Sequence, residues 1–295
     1  MRFFNFIKSG VFIAIVGIVL FSAKAVMVKL AYQYQVSSIH LLLFRLGFSL
    51  PVYIAFIFYY KPKQKEIIKK SEYLWLLFFG FIGYYLASYF DFLGLQYIEA
   101  GLERIILFVY PTLVLLISRV FLKKTLQKKQ LVAIFITYIG VVIAFWNDIE
   151  LSGSKLYLGV FLVFLSALAY ASYLVGSGWL IPKFGVVLFT SYAMVVSTIC
   201  VVVHYLITDR LSLVHYPREV YLLGALMAFV STLIPSFLVS LAIKKMGASR
   251  FSIIGSIGPI STIILAYIFL NETVSGLQIF GSIIVILGVA FVAKK

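Results

Sequence analysis

Apolar stretches of about 20 residues, separated by a few polar positions, run the length of this chain. Ten of them lie at roughly 10–32, 39–60, 73–95, 101–121, 130–146, 156–179, 185–207, 220–243, 250–270 and 276–293. A helix needs about 20 apolar residues to cross a hydrocarbon core, so each run predicts one membrane-crossing helix. The polar breaks are short, from about 5 to about 13 residues. No soluble domain, low-complexity tract or long linker fits anywhere. Residues 1–295 are therefore expected to form a single all-α transmembrane domain of ten helices.

The first run has features of a secretory signal: Arg2 and Lys8 precede it, and Ala23-Lys24-Ala25 resembles a small-x-small cleavage site. The apolar pattern resumes after Lys24, and cleavage there would destroy a full-length span. The run is read as a retained helix.

Composition agrees with the pattern. The chain is 63% hydrophobic and 12% charged, with mean hydropathy +1.09, against about 45–50% and about 25% for soluble domains. The excess apolar surface must face lipid. A net charge of +15 invites a nucleic-acid reading, but the charge sits in short loops between apolar runs, so no nucleic-acid partner is expected. The 28 Phe, 20 Tyr and 3 Trp suit interfacial belts. The single cysteine, Cys200, allows no intrachain disulfide and no thiolate metal cluster.

Lysine and arginine in the loops set the orientation. With the N-terminus in the cytoplasm, seventeen of the 25 fall in cytoplasmic segments, among them Arg2, Lys8, Lys61, Lys63, Lys65, Lys123, Lys124, Lys128, Lys129, Arg250, Lys294 and Lys295. Only Lys155, Arg210 and Arg218 lie in external loops, while Lys24, Lys29, Arg45, Arg104 and Arg119 lie within spans. External loops instead carry Glu99, Asp148, Glu150, Asp209, Glu219 and Glu272. Both termini are thus expected in the cytoplasm.

The chain also repeats itself. VFLKKTLQKKQL at 120–131 returns at 268–279 as IFLNETVSGLQI, so Phe121, Leu122, Thr125 and Gln130 align with Phe269, Leu270, Thr273 and Gln278, an offset of 148. The copy has lost every lysine. The preceding loop shows the opposite exchange, QYIEAG becoming KKMGAS. Two repeats, 1–147 and 148–295, with five spans each explain both changes. An odd number of crossings inserts the second repeat upside down, and its loops face the other side. Inverted repeats around a central site are characteristic of secondary transporters working by alternating access.

On these residues the chain resembles the drug/metabolite transporter superfamily, in its ten-helix EamA-like branch. The resemblance covers nearly the whole chain. It is carried by FSAKAVMVKLAY, by the arginine in LLLFRLGFSLP, and by FDFLGLQYIEAGLERIILFVYPTLVLLISRVFLKK. In the second half GASRFSIIGSIGPISTIILAYIFLNETVS and GSIIVILGVAFVAKK carry it. The family often places an acidic residue after the ends of spans 4 and 9. Glu272 matches this, Lys124 departs from it, and the position is read as a topology or packing element. The resemblance implies export or exchange of small metabolites, often amino acids or related solutes, through a central cavity in a bacterial plasma membrane.

Ionisable groups inside a membrane are costly and are functional candidates by default. At 1.5 Å per residue, Lys24 lies roughly 10 Å below the outer end of span 1 and Arg45 about 9 Å below that of span 2. Asp91, Glu103 and Arg104 lie about 3–6 Å below the outer ends of spans 3 and 4. These five can form one layer. Two readings stand. One is a basic, partly neutralised vestibule for a carboxylate or other anionic group. The other is a set of ion pairs holding helices together, such as Lys24 with Glu103 or Arg45 with Asp91. Lys29 and Arg119 lie near helix ends and are expected to snorkel.

In the second half Tyr173 aligns with Lys24 at an offset of 149. Tyr170, Tyr173 and Tyr192 are candidates for contact with an amphipathic substrate, or ordinary aromatic packing. Pro111, Pro235 and Pro259 interrupt spans 4, 8 and 9 and stand as hinges or static bends. Gly140 and Gly288, with Ala133 and Gly281, predict close packing of spans 5 and 10.

No G-x-x-x-x-G-K-[ST] loop occurs, so no nucleotide cofactor is expected, and no metal. Proton coupling through Glu103 or Asp91 is opposed by the neighbouring cations; facilitated diffusion and exchange stay open. The alternatives are a membrane enzyme and a sensor or structural protein. His40, His204 and His215 offer no nucleophile–base pair or metal motif, and no soluble output domain is present. A monomer is expected, with a homodimer as the alternative.

Overall fold

A computed structural model of the chain describes residues 9–60, 68–125, 127–146, 155–208 and 213–293. Of the loop charges used for orientation, Arg2, Lys8, Lys61, Lys63, Lys65, Asp148, Glu150, Asp209, Arg210, Lys294 and Lys295 lie outside the described residues. The described residues form helices and no strands.

Helix α1 is Gly10–Tyr32, α2 Ser38–Tyr59, α3 Lys70–Gly94, α4 Ala100–Leu107, α5 Tyr110–Leu122 and α6 Lys128–Phe145. Then follow α7 Leu156–Phe184, α8 Val186–Thr208, α9 Arg218–Met246, α10 Ala248–Leu270 and α11 Gly276–Ala293. Seven of these, α1, α2, α3, α7, α8, α9 and α10, are long and apolar enough to cross a membrane.

Local chemistry sets the ends. The Ser9 and Ser37 hydroxyls accept from the Phe12 and His40 amides and cap α1 and α2. Helix α7 continues past the expected residue 179, through Pro182, and stops at Gly185. Gly185 and Gly247, at φ 80° and 83°, make the tight joints into α8 and α10. Glycine adopts this left-handed region without steric cost.

The same bounds recur 148 residues later. Lys70 and Arg218 open α3 and α9; Ala100 and Ala248 open α4 and α10; α6 and α11 share both ends at this spacing. Lys123 and Asn271, also 148 apart, both close their helices in the left-handed conformation, at φ 51° and 55°. A π-helical turn at Phe81–Leu86 in α3 recurs as Phe229–Leu233 in α9. The break between α4 and α5 recurs as the 3₁₀ turn Gly255–Ile257 within α10.

The three prolines follow these irregularities. Pro111, Pro259 and Pro235 each sit in the first turn of the regular helix after the break, the 3₁₀ turn and the second π turn. There the missing N–H costs least. The π turn in α3 has no proline, so proline is not what widens that helix.

The halves meet in exchanged contacts. A Cβ on Gly140 would lie 2.6 Å from the Gly281 carbonyl, and one on Gly288 would lie 3.1 Å from that of Ala133. Exchanging equivalent positions of the two repeats, 140 for 288 and 281 for 133, turns the first pair into the second, so α6 and α11 pack through a self-complementary seam. The predicted packing of these two helices is present. Helix α4 packs on the second part of α10, while the first part of α10 packs on α5. The Glu272 carboxylate, just beyond α10, accepts from the Ala100 and Gly101 amides at 3.1 and 3.3 Å. It therefore caps the start of α4 across the two halves.

Candidate functional site

Helices α1, α3 and α4 bring four charged groups together. Lys24 is 3% exposed, Asp91 1%, Glu103 0% and Arg104 5%. The Lys24 ammonium donates to Asp91 Oδ2 and lies 3.7 Å from Glu103 Oε1. Arg104 Nε lies 3.2 Å from Glu103 Oε2, a charge contact without hydrogen-bond alignment. Arg104 Nη2 donates to the Phe21 carbonyl at 3.2 Å. The Phe21 ring lies under both cations, 5.2 Å from Lys24 Nζ and 5.5 Å from the Arg104 guanidinium. Its negative π face stabilises them in this buried position.

Arg45, fully buried, departs from expectation. The sequence offered Asp91 as its partner, but Asp91 bonds Lys24. Arg45 instead donates through Nε to Thr232 Oγ1 at 2.6 Å and through Nη1 to Ser88 Oγ at 3.2 Å. Its guanidinium stands 5.5 Å from the Phe92 ring centre. Ser88 belongs to α3 and Thr232 to the π turn of α9, so Arg45 bridges the two halves. The planar fork donates to the two hydroxyls from separate nitrogens in a fixed geometry. Its Nη2 has no hydrogen-bond partner among the described residues.

The tyrosines divide. Tyr170 stacks on Phe21 at 6.1 Å and on Tyr173 at 6.4 Å, and meets Tyr110 edge-on at 5.4 Å. Tyr173 lies 4.8 Å from Tyr84 and 5.8 Å from Phe189. Tyr192 does not join them. It is half-buried early in α8, and no ring contact joins it to Tyr170 or Tyr173 among the described residues. Periodicity on α7 paired Tyr170 with Tyr173, but nothing local could align α8 with that face.

Five contributors had no clear sequence signal or were overlooked: Phe21, Tyr84, Ser88, Tyr110 and Thr232. Phe21 precedes Lys24 by one helical turn, and the i, i+3 spacing could have found it. Ser88 and Thr232 look like any small polar residue in an apolar run.

Around the cluster the chain is closed. A void of about 20 Å³ touches Lys24, Tyr84, Ser88, Ser166 and Tyr170, and one of about 30 Å³ touches Arg104, Tyr110, Tyr170 and Pro259. Each has room for about one water. Larger recesses lie towards the two ends. One of about 650 Å³ is lined by Lys29, Gln96, Glu99 and Glu272, and one of about 590 Å³ by Ser118, Lys124 and Arg250. Among the described residues no group of three His, Cys, Asp or Glu could hold a metal ion.

This paired geometry has a counterpart among known proteins. The EamA-like transporter family model matches twice, over residues 8–146 and again over 157–294. The chain belongs to the EamA-like transporter family. This EamA-like chain is 29% identical over 279 residues to the uncharacterized transporter YcbK of Bacillus subtilis (strain 168), covering 92% of this chain and 89% of that one. It is 25% identical over 253 residues to the uncharacterized transporter YyaM of the same strain, covering 83% and 81%. A crystal structure of a protein 13% identical shares the fold, with a TM-score of 0.72 over 96% of both chains. The EamA-like chain is a multi-pass membrane protein of a transporter family, with helices and no strands among its described residues.

Proposed function

We propose that this protein is a secondary transporter that exports or exchanges a small carboxylate-bearing metabolite, an amino acid or organic acid, by alternating access. It works as a monomer of ten crossings, two inverted five-helix repeats with both termini in the cytoplasm of a bacterial cell. The exchanged α6–α11 contacts and the double family match support the inverted arrangement.

The observation that carries the substrate reading is Arg45. A buried guanidinium ties α3 of one half to α9 of the other through two hydroxyls and keeps one nitrogen unpaired. Three cations face only two carboxylates in this layer, so a substrate carboxylate balances it. The Tyr170–Tyr173 stack on the other side offers ring area for an apolar moiety. Small movements of the two halves open the cluster to one recess or the other; Pro111, Pro235 and Pro259 lie where such bending concentrates.

Reconstituted protein in preloaded vesicles tests this by counterflow against amino acids, organic acids and amines lacking a carboxylate. Exchange of at least one carboxylate solute is expected. Exchange confined to amines overturns the substrate class, and vesicles that exchange nothing from the panel overturn the reading.

A further inference from the structure

The Glu272 cap has no equal at the opposite end. Lys124 stands 148 residues before Glu272, and the equivalent helix start, Ala248 of α10, has no side-chain cap. Three neighbours change in the same sense. Ser118 replaces Ala266, Arg250 replaces Leu102, and Gly247 replaces Glu99. A self-supplied carboxylate has been exchanged for a hydroxyl and two cations.

These groups line one recess of about 590 Å³, with Lys123, Thr125, Gln127, Gln130 and Ser249, and no acidic side chain among them. Ser118 is 2% exposed, and its hydroxyl has no partner among the described residues. An unpaired buried hydroxyl forfeits a hydrogen bond that folding normally retains. The unfilled hydroxyl is independent of the helix start, and both face the same space. At the Glu272 end a carboxylate occupies the matching amides, so the backbone geometry accepts an oxyanion.

We propose that this recess is a phosphate-binding site. The ligand is a phosphate group held by the α10 start, Ser118, Lys124 and Arg250, and it does for α10 what Glu272 does for α4. Carboxylates are small for a site with three cations and several hydroxyl and amide donors; a phosphate group offers more acceptor oxygens. The group belongs either to a lipid headgroup of the adjacent leaflet or to a free phosphate. This site does not depend on the transport reading.

The test is thermal unfolding of the full-length protein in lipid-free maltoside detergent, titrated with inorganic phosphate against chloride at equal ionic strength. The unfolding temperature is expected to rise with phosphate. Lys124→Glu supplies the missing carboxylate, so its unliganded protein should melt higher and its half-saturation should rise about tenfold, the scale of one charge-assisted hydrogen bond. Arg250→Ala should weaken the phosphate response without that gain, and it decides the matter if Lys124→Glu fails to fold. Nanodiscs of digalactosyl diacylglycerol, with and without phosphatidylglycerol, separate the sources. Phosphatidylglycerol that removes the phosphate response identifies a headgroup; an unchanged response identifies free phosphate. A wild type indifferent to both, or variants that respond as it does, overturn the proposal.

Discussion

Lys24 on α1 and Tyr173 on α7 align at an offset of 149, and both are buried. Their surroundings differ in kind. Lys24 sits among Asp91, Glu103, Arg104 and the Phe21 ring; Tyr173 sits among Tyr84, Tyr170 and Phe189. The residues 148 after Asp91, Glu103 and Arg104 are Val239, Phe251 and Ser252. Among the described residues, Lys24, Arg45, Asp91, Glu103 and Arg104 are the buried Lys, Arg, Asp and Glu side chains, and all belong to the first half. The second half builds the corresponding helices without them. The fold therefore does not require these charges, which strengthens the case that they are kept for what they bind.

The largest expected effect breaks this comparison directly. Lys24→Met makes the charged side resemble the uncharged one but strands Asp91, while Glu103 keeps Arg104 at 3.2 Å. Removing one partner of a buried pair costs about 3–5 kcal/mol. Exchange should be lost and the unfolding temperature should fall. Adding Asp91→Asn removes the stranded charge, so stability should largely return while exchange stays lost. A double variant that transports at the wild-type rate would reduce the cluster to a structural device.

A smaller effect tests the aromatic side. A Cβ on Gly83 would lie 2.2 Å from Tyr173 Cβ, inside any tolerable contact. The matching position in the second π turn is Ser231, so the wide turn itself does not demand glycine; Tyr173 does. Gly83→Ala should cost about 1–3 kcal/mol through overpacking and should be partly rescued by Tyr173→Gly, which removes the opposing Cβ. Gly47, with open space beyond it, is the control and should tolerate alanine. Equal melting of Gly83→Ala and Gly47→Ala would remove the proposed contact between α3 and α7.

Much of this frame was legible before any coordinates. Apolar runs place most helix ends within about three residues, because burial in lipid leaves little freedom over where a span stops. The small residues Gly140 and Gly288 pointed to the α6–α11 seam. The charged cluster was legible as a layer but not as a network. Depth along each helix is a local property, whereas the choice of Asp91 by Lys24 rather than Arg45 depends on how α1, α2 and α3 rotate against one another. The π turns left no trace either. FIGYYL and FVSTL contain no residue type that requires an extra residue in the turn, and only one is followed closely by proline. Lys24 does meet Glu103, as the sequence offered, but Tyr192 stands apart from Tyr170 and Tyr173 for the same reason that Arg45 lacks Asp91: one helix alone does not say which neighbour a side chain faces.

The smallest effect compares the two helix starts, where Glu272 caps α4 and Lys124 leaves α10 bare. Glu272→Ala removes the acceptor for the Ala100 and Gly101 amides and should cost about 1 kcal/mol, as capping losses do. Glu272→Gln keeps an acceptor oxygen and separates the bond from the charge. Burial pushes the Glu272 carboxyl above its ordinary value of 4.5; the bond from Ala100 opposes this and nearby Glu99 adds to it. A carboxyl raised in the folded state binds more protons there than in the unfolded chain. Its contribution is fully present below 4.5 and is lost as pH rises through the raised value. Wild-type stability should therefore lose a component over that window that Glu272→Gln does not lose, with the two unfolding curves closest at the acid end. Parallel pH profiles for wild type and Glu272→Gln would mean that the carboxylate is solvated as well in the fold as outside it, and the contrast with the Lys124 end would then rest on geometry alone.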